Sequence, residues 1–159
     1  MIMINEHYQT PGTVDDCVCM IDRSLIWSHY QTKMEKGIPL RWNNLCAYER
    51  GLLSNGCGGK GGLVNPPDFK FEASCNHHDF NYWLGGSAED RVKADDQFLD
   101  AMLFDANLLP WWRRPLHKAL AYTYWSAVRM MGGKFFNSTE TRSWADVRTR
   151  VLEDMEIPF

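Results

Sequence analysis

The stretch Cys75-Asn-His-His-Asp-Phe-Asn-Tyr82 sets a histidine and an aspartate side by side between a cysteine and a tyrosine. In a helix, Cys75, His78, Asp79 and Tyr82 fall at i, i+3, i+4 and i+7, on one stripe. A thiol, an imidazole, a carboxylate and a phenol turned inward each need a partner, so the stripe asks for a metal, a second acid, or both. A neutral imidazole can take a proton from water when a carboxylate holds its other nitrogen, fixing the tautomer and stabilising the imidazolium as it forms. Asp95 is the natural holder, the one acid in the inward stripe Arg91, Ala94, Asp95, Phe98, Leu99 and Met102. Asp96 and Asp100 point off that stripe, and Asp90 and Asp105 lie toward the helix ends. His77 sits about 100° round the helix from His78, which makes it a surface or supporting residue.

The second chemical feature is Gly56-Cys-Gly-Gly-Lys-Gly-Gly62. Gly56-x-Gly58-x-x-Gly61 matches the bare dinucleotide pattern, but no strand precedes it and no helix begins after it. It is not a phosphate-binding P-loop either, since Ser54 stands where the first glycine belongs and Gly61 follows Lys60 where Ser or Thr is required. A surface loop is one remaining use. The other is a collar that turns backbone carbonyls toward a hard cation, with Asp79 as the charged ligand that calcium requires.

The elements that must position these groups read as helices. One is expected from Asp15 to about Lys36 and a shorter one from Trp42 to Leu53. After the Gly- and Pro-rich stretch the Cys75 helix runs to Gly85-Gly86. The next starts in a capping box, Ser87-Ala-Glu-Asp90, and continues to about Leu109. A helix opened by Pro115 is expected to turn Leu116, Leu120, Tyr124, Ala127, Val128 and Met131 inward and to stop at Gly132-Gly133. A last one, capped by Ser143, carries Trp144, Val147, Val151 and Leu152. Strand signals are weak, so the fold class is mainly α.

At 159 residues and 45% apolar content, the simplest organisation is a single domain, 1–159. A net charge of −3 gives no global case for nucleic acid, and no apolar run is long enough to span a bilayer. The opening residues show no positive segment followed by an apolar one, so the expectation is a cytoplasmic chain or one delivered by a non-classical route. Five cysteines cannot all pair within one chain, and mostly reduced thiols are expected, with room for one or two bridges.

Cys75-x-x-His78-Asp79-x-x-Tyr82, preceded by the glycine loop and followed one helix later by Asp95, resembles the secreted-type phospholipase A2 superfamily, particularly its short bacterial, fungal and viral members. The resemblance covers about residues 54–104, within an expected catalytic core of about 54–109, and extends more loosely to Ala127–Gly133. It implies two antiparallel helices with a calcium loop and flanking helices. It also implies calcium-dependent hydrolysis of the sn-2 ester of phospholipids at a membrane surface. By that likeness His78 is the general base, Asp95 orients it, Tyr82 hydrogen-bonds Asp95, and Asp79 binds Ca2+ with the carbonyls of Cys57, Gly59 and Gly61. An N–H of Gly58 or Gly59 would meet the oxyanion. Aligning Cys57 with the family's loop cysteine shifts the carbonyls by one and lets Cys57 bridge to Cys75. Asn81 and Ser74 stand where the animal enzymes carry further cysteines. Trp111-Trp112-Arg113-Arg114 combines interfacial aromatics with cations, or else packs at a helix corner. A non-catalytic membrane-binding or toxin-like module on the same scaffold, and a zinc site from Cys57, Cys75, His77 and His78, are the competing readings.

Overall fold

The computed structural model describes residues 23–54 and 69–155. Among them lie six α-helices and no strand: α1 (Arg23–Glu35), α2 (Ala47–Leu53), α3 (Glu72–Leu84), α4 (Ala88–Leu108), α5 (Arg114–Met131) and α6 (Trp144–Asp154). The mainly α class therefore holds. Single 3-10 turns occupy Trp42–Asn44, Phe69–Phe71 and Gly132–Lys134. The chain divides into two compact units, residues 1–53 with 142–159, and residues 54–141.

In the first unit α6 buries the four residues its spacing marks, Trp144, Val147, Val151 and Leu152, and packs on α1 and α2. Ser143 and Asp146 cap it, the Asp146 carboxylate accepting from the Ser143 N–H at 2.7 Å. The expected helix from Trp42 to Leu53 is broken, for a local reason. The fully buried Glu49 reaches back to accept the Cys46 N–H at 2.7 Å, which starts α2 afresh at Ala47 and leaves Trp42–Asn44 as a separate 3-10 turn.

The second unit carries α3, α4 and α5. Tyr82 and His78 meet Asp95 while Ser74 meets Asp105, so α3 and α4 run antiparallel, joined through Gly85–Ser87. Gly85 takes φ +77°, and a Cβ there would overlap the Asn137 carbonyl, because residues 136–137 cross the end of α3. The Asn137 N–H donates to the Tyr82 carbonyl and the Gly86 N–H to the Asn137 carbonyl. Ser87 and Asp90 form the capping box that starts α4. Asp105 lies in the last turn of α4, toward the helix end as expected, and there it is buried and accepts from the Ser74 hydroxyl at 2.8 Å.

α5 keeps part of its expected face and is rotated from the rest. Leu120, Tyr124 and Val128 pack on the cluster of Phe71, Phe98 and Met102 as expected, but Leu116 and Met131 are exposed, and His117 and Ala121 are buried instead. The rotation has a polar cause. The Trp125 indole N–H and the Arg129 guanidinium both bond Asp96 on α4, and these contacts fix which side of α5 faces inward. Neither described cysteine is a free thiol, since Cys46 and Cys75 are both disulfide-bonded. The odd cysteine count forbids complete pairing only, so it leaves two bridges open.

Candidate active site

The site is built on facing stripes of α3 and α4. His78, one turn after Cys75, is buried, and its Nε2 lies 3.0 Å from Asp95 Oδ1. The Tyr82 hydroxyl, one further turn along α3, donates to the same oxygen at 2.7 Å. The imidazole is held by its faces as well as by its edge. Phe98, one turn after Asp95, stacks on it with centroids 4.5 Å apart, and the centroid of the tilted Tyr82 ring lies 4.2 Å from that of the imidazole. With Asp95 ionised, Nε2 carries the proton and donates it, so Nδ1 is the nitrogen with the lone pair. Nδ1 has no hydrogen-bond partner among the described residues.

Asp95 is fully buried. Burial pushes its carboxyl upward, but hydrogen bonds from His78 and Tyr82, with the nearby charges of His78 and Arg129, outweigh burial and hold it below the ordinary carboxylate range. Burial and the Asp95 carboxylate push the Tyr82 phenol far above its ordinary value, which keeps it a hydrogen-bond donor. Asp95 is therefore an anion and an orienting group.

Two contributors have no signal in the α3 motif. The Arg129 Nε lies 3.7 Å from Asp95 Oδ2, too long for a hydrogen bond but close enough for charge, and that oxygen accepts no hydrogen bond among the described residues. Arg129 is anchored in turn by Asp96 and lies over the Trp125 ring. Gly132, just past α5, sits against Tyr82, and any Cβ there would strike the phenol oxygen. For Arg129 the sequence offers opposite charge within helix-to-helix reach and the looser resemblance over Ala127–Gly133, and neither says which of the neighbouring acids the arginine meets.

The histidines are separated as their register requires. His77 is half-buried near Asn81, with Nδ1 at 3.4 Å, and does not meet Asp95. Asp79 follows His78 and is half-buried. Cys57, Gly58, Gly59 and Gly61 lie outside the described residues. Among the described residues no three His, Cys, Asp or Glu side chains cluster as metal ligands. A single carboxylate completed by backbone carbonyls is a hard oxygen set suited to calcium, and Asp79 is the carboxylate that the family resemblance would assign to it. Trp111, Trp112 and Arg113 lie in the exposed turn between α4 and α5, Arg114 opens α5, and the two indoles meet each other edge-on. They stand at the corner between α4 and α5 with both indoles largely exposed.

No family model matches this chain, and no curated protein or solved structure matches it either.

Proposed function

We propose that the chain is a calcium-dependent phospholipase A2, hydrolysing the sn-2 ester of phospholipids to a lysophospholipid and a free fatty acid. The observation that carries this reading is the buried His78–Asp95–Tyr82 cluster, with Nε2 occupied by Asp95 and Nδ1 left to meet water. His78 takes the proton of the attacking water at Nδ1 and returns it to the leaving alcohol. Asp95 holds the ring and stabilises the imidazolium, while Tyr82 fixes the carboxylate. Phe98 covers one face of the ring, so the proton moves at the nitrogen edge. Asp79, with the carbonyls of Cys57, Gly59 and Gly61, would hold the calcium, and bound calcium would supply Lewis-acid polarisation of the ester carbonyl. An N–H of Gly58 or Gly59 would add a donor to the oxyanion.

Fatty-acid release from phospholipid vesicles, with added calcium or with chelator, tests the reading. Wild type should release fatty acid only with calcium, and His78→Ala should fall by about 10²–10⁴-fold. Release that survives chelation sinks the calcium assignment, and an unimpaired His78→Ala sinks the base. Vesicle binding with no release in any condition favours the non-catalytic module.

A further inference from the structure

Charge is unevenly spread along this chain. Between Asp105 and Glu140 stand Arg113, Arg114, Lys118, Arg129 and Lys134 and no acidic residue. The other 12 of 17 basic residues and all 20 acidic ones lie elsewhere, so the remainder carries −8 while the whole chain carries −3. Arg129 is engaged by Asp95 and Asp96, but the other four cations form no ion pair among the described residues.

The same segment exposes apolar surface. Every exposed residue of α5 from Leu116 to Met131 is uncharged, where a solvated helix face ordinarily carries charge. Leu116 is 64% exposed and Met130 84%. The Thr123 hydroxyl on this face is turned back to the Ala119 carbonyl. Trp111 and Trp112, 75% and 63% exposed, stand before the helix, and Phe135, 69% exposed, stands after it. An uncharged strip on a helix of about 27 Å thus ends in exposed aromatics and is bordered by unpaired cations.

We infer that α5 and the Trp111-Trp112 turn form a docking surface for anionic phospholipid, the apolar side chains entering the headgroup layer and the cations meeting its phosphates. The inference deepens the phospholipase reading by naming the lipid charge and the face that meets it, and it rests on that reading only for the premise that the chain meets phospholipid. Two other occupants fit less well. Single-stranded nucleic acid would use the indoles and arginines but offers Leu116 and Met130 nothing apolar to enter. A second copy, packed face to face by symmetry, would bring unpaired cations against their own kind.

Co-sedimentation with phosphatidylglycerol or phosphatidylcholine vesicles tests it, in chelator and on the His78→Ala chain so that no lipid is consumed. Phosphatidylglycerol should bind more than about 25-fold tighter than phosphatidylcholine, and Arg113→Gln with Arg114→Gln should lose about 25-fold on phosphatidylglycerol alone. Trp111→Ser with Trp112→Ser should weaken binding to both, with circular dichroism confirming an unchanged fold. The inference is overturned if phosphatidylglycerol vesicles do not bind, or if either double variant binds as tightly as its parent. It is also overturned if oligothymidylate binds tighter than phosphatidylglycerol, or if the chain dimerises through this face without lipid. Fatty-acid release on the chain with His78 intact is scored separately. Tight, variant-sensitive vesicle binding without release sinks the phospholipase reading alone, and release with variant-insensitive binding sinks the docking surface alone.

Discussion

Asp95 does its work as a charge, and its surroundings make that charge pH-dependent in a definite direction. Burial raises its carboxyl, and the bonds from His78 and Tyr82 with the charge of Arg129 more than offset it, so the folded value lies below the unfolded one. A group depressed in this way adds stability that is complete above the unfolded value, about 3.9, and is lost as pH falls through the folded one. Wild type should therefore lose Tm between about pH 5 and pH 2 more steeply than Asp95→Asn, a comparison thermal melts at stepped pH provide; parallel slopes would refute it. Tyr82 runs the other way. Its folded value is raised, so its contribution is complete below the ordinary phenol range and is lost as pH rises beyond it. Gly132 is the steric partner of the same phenol. Gly132→Ala should cost about 1–3 kcal/mol in urea unfolding, because a Cβ must displace the Tyr82 oxygen. Tyr82→Phe removes that oxygen, so the double variant should be more stable than the sum of the single losses predicts, and simple additivity would place the clash elsewhere.

At the scale of elements, two contacts to one exposed acid decide how α5 sits. Trp125 and Arg129 are i, i+4 on α5, and both reach Asp96. Arg129→Met should cost about 1–3 kcal/mol by removing a charged hydrogen bond and the cation nearest Asp95 Oδ2. It should also shift the His78 ring resonances in NMR, a readout that loss of packing at Met130 would not move. This helix shows why the sequence was legible in parts. α4 and α6 read correctly because their apolar stripes are flanked by charge and opened by capping boxes, so period and boundary agree. α5 has apolar residues on both sides, and hydrophobic period alone cannot orient such a helix; its orientation lies in Asp96, on another element. The break before α2 is of the same kind, written in a buried carboxylate that reaches back to Cys46. The His78–Asp95–Tyr82 geometry was legible because α3 and α4 are regular and their stripes face each other. Arg129 and Gly132 enter the site from α5 and the turn after it, where no local pattern names their partners.

Across the whole molecule, each of the two units has its own buried polar anchor. In the second unit it is Asp95. In the first it is Glu49, fully buried, accepting from the Tyr30 hydroxyl at 2.8 Å and from Lys33 Nζ at 3.3 Å. Lys33 ties three elements of that unit together, since its ammonium also lies 3.9 Å over the Trp144 ring of α6 and 3.4 Å from the Asn44 carbonyl. Lys33→Met strips the cation from a buried carboxylate and should cost about 3 kcal/mol. Lys33 and Gly132 share no partner, so their losses should belong to different cooperative units. Native-state hydrogen exchange separates the cases. Lys33→Met should lower protection of the amides in α1, α2 and α6 and leave α3, α4 and α5 near their wild-type values, and Gly132→Ala should do the reverse. Uniform loss of protection in both variants would show instead that the chain unfolds as one unit, and that the anchor at Glu49 and the cluster at Asp95 stabilise the same transition.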